Sequence, residues 1–231
     1  DTITYLNMAI KNDCKVLVEI AQSCLLDIDF GVYPYCTATN CSVGAVCSGL
    51  GIPANCIGKI NYVLKTYCTR VGNGPFPTEL GGCCDPEGSD EWILGDKLQV
   101  IGKEYGTTTS RKRRCGWLDL PALNYAITIN GVTELMMMKA DVLSGFKTIK
   151  VCTSYLYKGK EIKHFPYNIE QENVEPIYKN FNGWKEDLTQ KENFESLPKN
   201  LIEYINFIEK ELNIPISIVS VGPDRKQTIF V

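Results

Sequence analysis

The chain has 231 residues, 44% of them hydrophobic, and a formal net charge of −3. This is enough apolar material for a substantial core, in one large domain or two small ones, and it leaves no global attraction for nucleic acid or an anionic membrane. No apolar run approaches the roughly 20 residues needed to cross a bilayer, and the opening DTITYLNMAIKNDCK lacks the basic-then-apolar order of a signal peptide.

Short apolar runs alternate with amphipathic stretches. This predicts an α/β fold, a mostly parallel sheet with flanking helices plus a small antiparallel hairpin region at about residues 147–190. In chain order, Val16-Leu17-Val18 and Tyr62-Val63-Leu64 read as strands covered on both faces. Asp119 is placed to cap a helix running through Leu123, Ala126 and Ile127 to the stop signal Asn130-Gly131. Residues 135–138 form the next strand. Residues 149–157 and 161–165, separated by Lys158-Gly159-Lys160, read as a hairpin, and the Pro, Asn and Gly of residues 165–183 predict irregular connections. A helix follows Leu197-Pro198, with Leu201, Ile202, Ile205, Ile208 and Leu212 in one apolar stripe. Asn213-Ile214-Pro215 ends it, and a strand at residues 216–221 follows at once. No repeat, low-complexity tract or long linker suggests a domain boundary within residues 1–231.

The 11 cysteines are odd in number and scattered singly through apolar segments, as at Cys68 and Cys152. They predict reduced, mostly buried thiols of a cytosolic protein. With no Cys-x-x-Cys and a single histidine, His164, zinc binding has little support. Cys83-Cys84 lies in a Gly-rich loop open to exposure and oxidation. A start at Asp1 rather than Met is expected of a processed, truncated or partial sequence.

Residues 106–119, GTTTSRKRRCGWLD, set hydroxyls and guanidinium forks beside a tight Gly-Trp turn and a helix start. Such a loop suits an anion, because arginine offers paired donors matching a carboxylate or phosphate edge and threonines add donors without charge. A solvated basic run or a nuclear-address patch is the bland reading of Arg111, Lys112, Arg113 and Arg114. The flanks favour the anion loop: a nucleic-acid tract has no need of four small or hydroxylated residues before its charges. Lys139-Ala140-Asp141 directly follows the apolar run at residues 135–138, so both polar side chains should emerge at the C-terminal edge of a strand, where ligands collect in open α/β sheets. On its own the tripeptide better suits a surface Lys and a helix N-cap Asp. Ser220-Val221-Gly222, taken alone, is a strand ending in a Gly-Pro turn.

The loop closely resembles the aspartate-binding loop of the adenylosuccinate synthetase family, whose pattern is Gly-x-Thr-Thr-x-Arg-x-Arg-Arg-x-Gly-Trp-Leu-Asp. Five further segments resemble the same family in the same order: LLDIDFGVYPYCT (25–37), TRVGNGPFPTEL (69–80), KADVLSG (139–145), GWKED (183–187) and VSVGPDR (219–225). The resemblance covers nearly the whole chain, but family members are considerably longer, and this chain is similar to their C-terminal half only. It implies a partial synthetase-like, P-loop-NTPase-related fold. The implied reaction joins inosine monophosphate (IMP) and L-aspartate with hydrolysis of GTP, through transfer of the γ-phosphoryl group to the purine O6 and displacement of phosphate by the aspartate amine. In this reading Thr107, Thr108, Thr109, Ser110, Arg111, Lys112 and Arg113 form the aspartate loop, and Arg111 also touches the nucleotide ribose.

By the same resemblance, Gln22, Thr37 and Val71 belong to the IMP pocket, and Arg113, Lys139, Asp141, Ser220, Val221 and Gly222 to the GTP site. A carboxylate at Asp141 can accept from both N1 and N2 of guanine. Adenine lacks that donor pair and would leave the acid unpaired, at a cost of roughly 1 to 3 kcal/mol. Ile20, Ser23 and Ala45 stand where the family usually has glycine, which is expected to weaken nucleotide affinity there. The phosphate loop Gly-Asp-Glu-Gly-Lys-Gly-Lys, with its general base and Mg²⁺ site, is not in this sequence. Neither is the family's catalytic His, since His164 lies in a stretch, KHFPY, that matches a non-catalytic region. The arginine donated across the family's homodimer interface belongs to the other half as well. No catalytic residue and no metal ligand is therefore expected in this chain, and it should be inactive alone. A non-catalytic module derived from the enzyme and a basic-loop RNA binder stay open as alternatives.

Overall fold

The computed structural model describes residues 1–82, 86–106, 110–169 and 174–231. Its first half runs through helices α1 (Thr2–Lys11) and α2 (Gly44–Leu50), strands β1 (Asn61–Lys65), β2 (Cys68–Arg70) and β3 (Glu79–Leu80), helix α3 (Asp90–Ile101), and strands β4 (Arg114–Gly116) and β5 (Leu118–Asp119). The second half holds α4 (Leu120–Asn130), β6 (Glu134–Met138), β7 (Thr148–Tyr157), β8 (Lys160–Ile162), β9 (Val174–Asn182), α5 (Lys199–Leu212), β10 (Ile216–Ser220) and β11 (Thr228–Phe230).

A four-stranded sheet of order β1-β6-β10-β11 lies at the centre. β1 and β10 flank β6 in parallel, placing Leu64 and Val219 on either side of Met137, and β11 closes the far edge antiparallel. Leu135 and Met137, on one face of β6, and Val219 of β10 have no exposure, but Val63 of β1 is 62% exposed, which corrects the expectation that Tyr62-Val63-Leu64 is covered on both faces: β1 is an edge strand and only its Leu64 face is packed. Because the three parallel strands point the same way, Lys65, Met138 and Ser220 end on one edge of the sheet, which is where the site is assembled.

The two helices legible in the sequence have the expected ends. Asp119 caps α4 by accepting from the Ala122 amide at 3.1 Å, and Gly131 closes it at φ 60°. The apolar stripe of α5 is fully buried at Leu201, Tyr204, Ile205 and Ile208. Its Tyr204 hydroxyl donates to the Thr66 carbonyl at 2.6 Å, fastening the helix to the end of β1. Asn213 then adopts the left-handed φ 53° that stops α5.

Several expectations are corrected. Val16-Leu17-Val18 forms no strand; Leu17 is 93% exposed, and an apolar triplet without a ladder partner has nothing to hold it extended in a sheet. Residues 165–183 are not wholly irregular, since β9 pairs with β7 along nearly its full length. Pro176 stands opposite Tyr155 in this pairing, on a strand that among the described residues pairs on one side only, the setting in which proline is tolerated in sheets. The antiparallel part of the chain is thus larger than a hairpin, with β8 and β9 on β7 and a small sheet β2-β4-β3 beside it. Helix α3 has no counterpart among the expected elements and carries Gly95 at its middle. A Cβ at Gly95 would lie 2.3 Å from the Leu80 carbonyl oxygen, so the glycine lets α3 press directly on β3. Gly116 is not in a turn either. It is paired within β4, where a Cβ would meet the Thr78 carbonyl at 2.3 Å. Of the nine described cysteines, all free, only Cys24, Cys41, Cys115 and Cys152 are buried, because the loops around α1 and α2 leave Cys14 and Cys56 in the open. Cys83 and Cys84 lie outside the described residues.

Asp119 generates a prediction about pH. It is 3% exposed, and its two oxygens accept from the Tyr155 hydroxyl at 2.7 Å each. Burial pushes its carboxyl up to about 6, against the pull of Tyr155 and the Ala122 amide. The unfolded chain titrates near 3.9, so the folded protein holds this proton more tightly. The stability it confers is fully present below about pH 4 and is lost as pH rises to about 6, a change of roughly 3 kcal/mol. Asp119→Asn keeps the cap and removes the titration. Its denaturation midpoint should gain on that of the parent between pH 4 and 6.5, and a midpoint difference constant over this range would refute the assignment.

Candidate functional site

Met138 hands over to Lys139, which takes a left-handed φ of 64°, and to a single 3₁₀ turn, Ala140–Leu143, that carries Asp141. Beside it, β10 ends at Ser220, whose hydroxyl donates to the Gly222 carbonyl at 3.0 Å, while Val221 is fully buried. The parallel register therefore sets Lys139, Asp141 and residues 220–222 on one edge, as their sequence positions predicted. Asp141 is half-buried; burial pushes its carboxyl up, partly offset by the Val142 amide and the Lys139 charge.

Beneath this edge sits a residue with no sequence signature. Glu104 has no exposure, and its carboxylate accepts from Lys65 at 2.9 Å, Lys139 at 2.8 Å, Arg113 at 2.9 Å and the Tyr67 hydroxyl at 2.6 Å. Burial alone would push its carboxyl up; the Lys139, Tyr67 and Lys65 donors overcome that and hold it at about 2. Lys65 is shifted down by burial, with Lys139 and Arg113 adding to the effect and Glu104 opposing it. One carboxylate among three cations leaves the cluster with an excess of two positive charges, suited to an anionic ligand. Lys65 ends its apolar strand much as Lys139 does, which is the one signal that could have found it. Glu104 had none.

The ends of the hydroxyl- and arginine-rich segment close on one another to form a neck. Tyr105 and Lys112 form an antiparallel bridge, the Gly106 amide donates to the Arg111 carbonyl at 2.8 Å, and the Ser110 amide donates to the Gly106 carbonyl at 2.8 Å. Ser110 has φ 52°, and Ser110, Arg111 and Lys112 are exposed. Thr107, Thr108 and Thr109 lie outside the described residues. The basic run is divided. Arg111 and Lys112 face outward, whereas Arg113 is engaged by Glu104 and Arg114 by Glu79, so half of the run serves the fold rather than solvent. The Gln99 amide donates to the Arg113 carbonyl at 3.0 Å, which ties the neck to the end of α3.

The remaining site residues lie on two stitched loops. Asp27, fully buried, accepts from the amides of Asp29, Phe30 and Cys41; burial pushes its carboxyl up, and these backbone donors outweigh that and lower it. The loop so formed holds Thr37, whose amide donates to the Leu26 carbonyl at 2.8 Å. Arg70 donates to the Tyr35 carbonyl at 3.0 Å, joining this loop to the one that carries exposed Val71. Gln22 is exposed at φ 74°, beyond the Val16-Leu17-Val18 stretch that forms no strand; its side-chain oxygen lies 3.7 Å from Cys41 Sγ. Gln22, Ser110 and Lys139 are three of the seven non-glycine residues with positive φ among those described, a conformation that costs energy and gathers at functional sites.

The family model described as adenylosuccinate synthetase matches residues 1–229. The adenylosuccinate synthetase of Flavobacterium psychrophilum is 56% identical over 99% of this chain and 52% of its own length. That of Christiangramia forsetii is 55% identical over the same shares. A solved structure of a fully ligated adenylosuccinate synthetase from Plasmodium falciparum superposes on all of this chain, over 53% of its own, with a TM-score of 0.92 at 43% identity. The chain spans about half the length of the curated relatives it matches.

Arg114 supplies a test of how the Val71 loop is held. Its guanidinium bridges both oxygens of Glu79 and also donates to the Gly72 and Gly74 carbonyls, at 3.1 and 2.8 Å. A lysine reaches one of these partners at most, so Arg114→Lys should lose roughly 1–3 kcal/mol of local stability. Hydrogen exchange of the amides of residues 70–80 should then accelerate about tenfold or more; unchanged protection would show that the fork is dispensable.

Proposed function

Because the chain belongs to the adenylosuccinate synthetase family, we propose that it supplies the aspartate loop, the IMP loops and the guanine site of a GTP-dependent ligase. That ligase joins IMP and L-aspartate into adenylosuccinate, in purine (AMP) biosynthesis. The observation that carries this reading is the shared sheet edge, where Lys139, Asp141 and Ser220 meet the neck of the Arg111 loop over a cluster with surplus positive charge.

On this reading Asp141 accepts from N1 and N2 of guanine, the Lys139 stem lies along the base, and residues 220–222 border it. Arg113 faces the GTP, while Arg111 and the hydroxyls of Thr107, Thr108 and Thr109, with Ser110 and Lys112 in the same loop, grip the aspartate carboxylates. Gln22 reads the hypoxanthine edge, Thr37 meets the IMP phosphate and Val71 lines the ribose. The residues of this chain thus act by positioning and by neutralising charge around a transferring phosphoryl group. Among the described residues no group of three or more His, Cys, Asp or Glu gathers to hold a metal ion, and no role for Mg²⁺ is assigned to this chain. The phosphate loop, the Mg²⁺ site and the partner arginine of a cytoplasmic homodimer are assigned to the half that the relatives have beyond this match.

Two predictions follow from this division of labour. The purified chain should show no GTP-dependent consumption of IMP and aspartate; turnover above a blank that disappears in Arg111→Ala would overturn it. The same chain should bind GDP in preference to ADP, by roughly tenfold if the unpaired-acid cost is about 1.4 kcal/mol. Asp141→Asn turns an acceptor into a partial donor and should erase that preference. Calorimetry giving the parent equal affinity for both nucleotides would reject the guanine assignment.

A further inference from the structure

Glu104 stands outside every role assigned above, yet it touches two of the residues that carry them. Its side chain is wholly enclosed, while those of Lys65, Arg113 and Lys139 are 24%, 28% and 33% exposed, so the carboxylate forms a floor under three partly exposed cations. The cations come from three segments distant in sequence: the end of β1, the return limb of the aspartate loop and the end of β6. Arg113 is held twice, since its guanidinium bonds the Glu104 carboxylate and its amide donates to the Glu104 carbonyl at 2.9 Å. Lys139 is held by its head, with Nζ donating to Glu104 and, at 2.6 Å, to the Gly102 carbonyl. That leaves its aliphatic stem as the part turned toward a ligand. Glu104 itself is fixed from behind, its amide donating to the Gln99 carbonyl at 2.9 Å and its carboxylate accepting from the buried Tyr67 hydroxyl.

We propose that Glu104 is a positioning residue for the guanine nucleotide, acting through Lys139 and Arg113 and tying the neck of the aspartate loop to the guanine-reading strand end. The inference rests on the guanine site proposed above. Charge-assisted bonds from one carboxylate are shorter and stronger than neutral ones, so a single group can set both cations. A glutamine in its place offers one acceptor oxygen and brings two donors against three cations. It should release Lys139 and Arg113 without changing the volume of the site.

A double-mutant cycle on the full chain, with GDP binding read by calorimetry, tests this. Glu104→Gln should weaken GDP binding by about tenfold or more in the parent, and should add a clearly smaller loss in a Lys139→Met background, where only its hold on Arg113 remains. A merely structural role would lower thermal stability and give additive losses. Unchanged GDP affinity in a folded Glu104→Gln chain, or additive losses, overturns the proposal. Where near-UV circular dichroism shows that Glu104→Gln does not fold, Tyr67→Phe keeps every charge and removes one donor. It should weaken GDP binding by about threefold in the parent and by less beside Lys139→Met, again with additivity as the refuting result. A parent chain that binds no GDP sinks the guanine reading and this inference with it. GDP binding that is lost in Asp141→Asn and indifferent to Glu104→Gln sinks the inference alone.

Discussion

A carboxylate with no access to water stays ionised only if donors replace the water it has lost, and Glu104 is the point where this requirement shapes the chain. Several kcal/mol of desolvation must be offset by good geometry, since an unpaired buried charge is among the costliest features a fold can carry. Lys65, Lys139, Arg113 and Tyr67 all meet it at 2.6 to 2.9 Å, from three separate places along the sequence. Satisfying one acid thereby fixes the end of β1, the end of β6 and the neck of the exposed loop relative to one another. The surplus of positive charge left over points outward from the sheet edge.

Elsewhere the site is held by donors and acceptors spent on the backbone. Asp27 gathers the amides of its own loop, Arg70 takes the Tyr35 carbonyl, and Arg114 takes two glycine carbonyls while pairing with Glu79. Loops have no ladder of their own, so their polar groups must find such partners when partly buried. The consequence is a division of the basic run. Arg113 and Arg114 build the scaffold, and Arg111 and Lys112 remain outside it. Positive φ at Gln22, Ser110 and Lys139 shows the same framework holding these residues in backbone conformations that side-chain-bearing residues rarely adopt.

Two glycines show how packing can hide an element from sequence reading. Gly95 lowers the intrinsic helix preference of α3, yet the close approach to Leu80 that it permits delivers Gln99, Gly102 and Glu104 to the site. Gly116 allows β4 to lie against both β2 and the Thr78 carbonyl, two residues beyond Arg114, which pairs with Glu79.

The amino-acid sequence by itself determined the features that depend on local pattern. The apolar runs of β1, β6 and β10, the Asp119 and Gly131 ends of α4, the stripe of α5 and the placing of Lys139-Ala140-Asp141 at a strand end all follow from periodicity and capping chemistry. The motif at residues 106–119 named the family for the same reason, being contiguous. Only the tertiary structure decided the rest. Whether Val16-Leu17-Val18 pairs depends on a neighbouring edge; whether residues 174–182 form a strand depends on β7 offering one. Glu104 and Lys65 acquired their importance from contacts 35 to 39 residues apart in the chain. A lone glutamate in Ile-Gly-Lys-Glu-Tyr-Gly looks like a solvated charge until folding removes its water, because burial and the cations that answer it are properties of three strand and loop ends brought together.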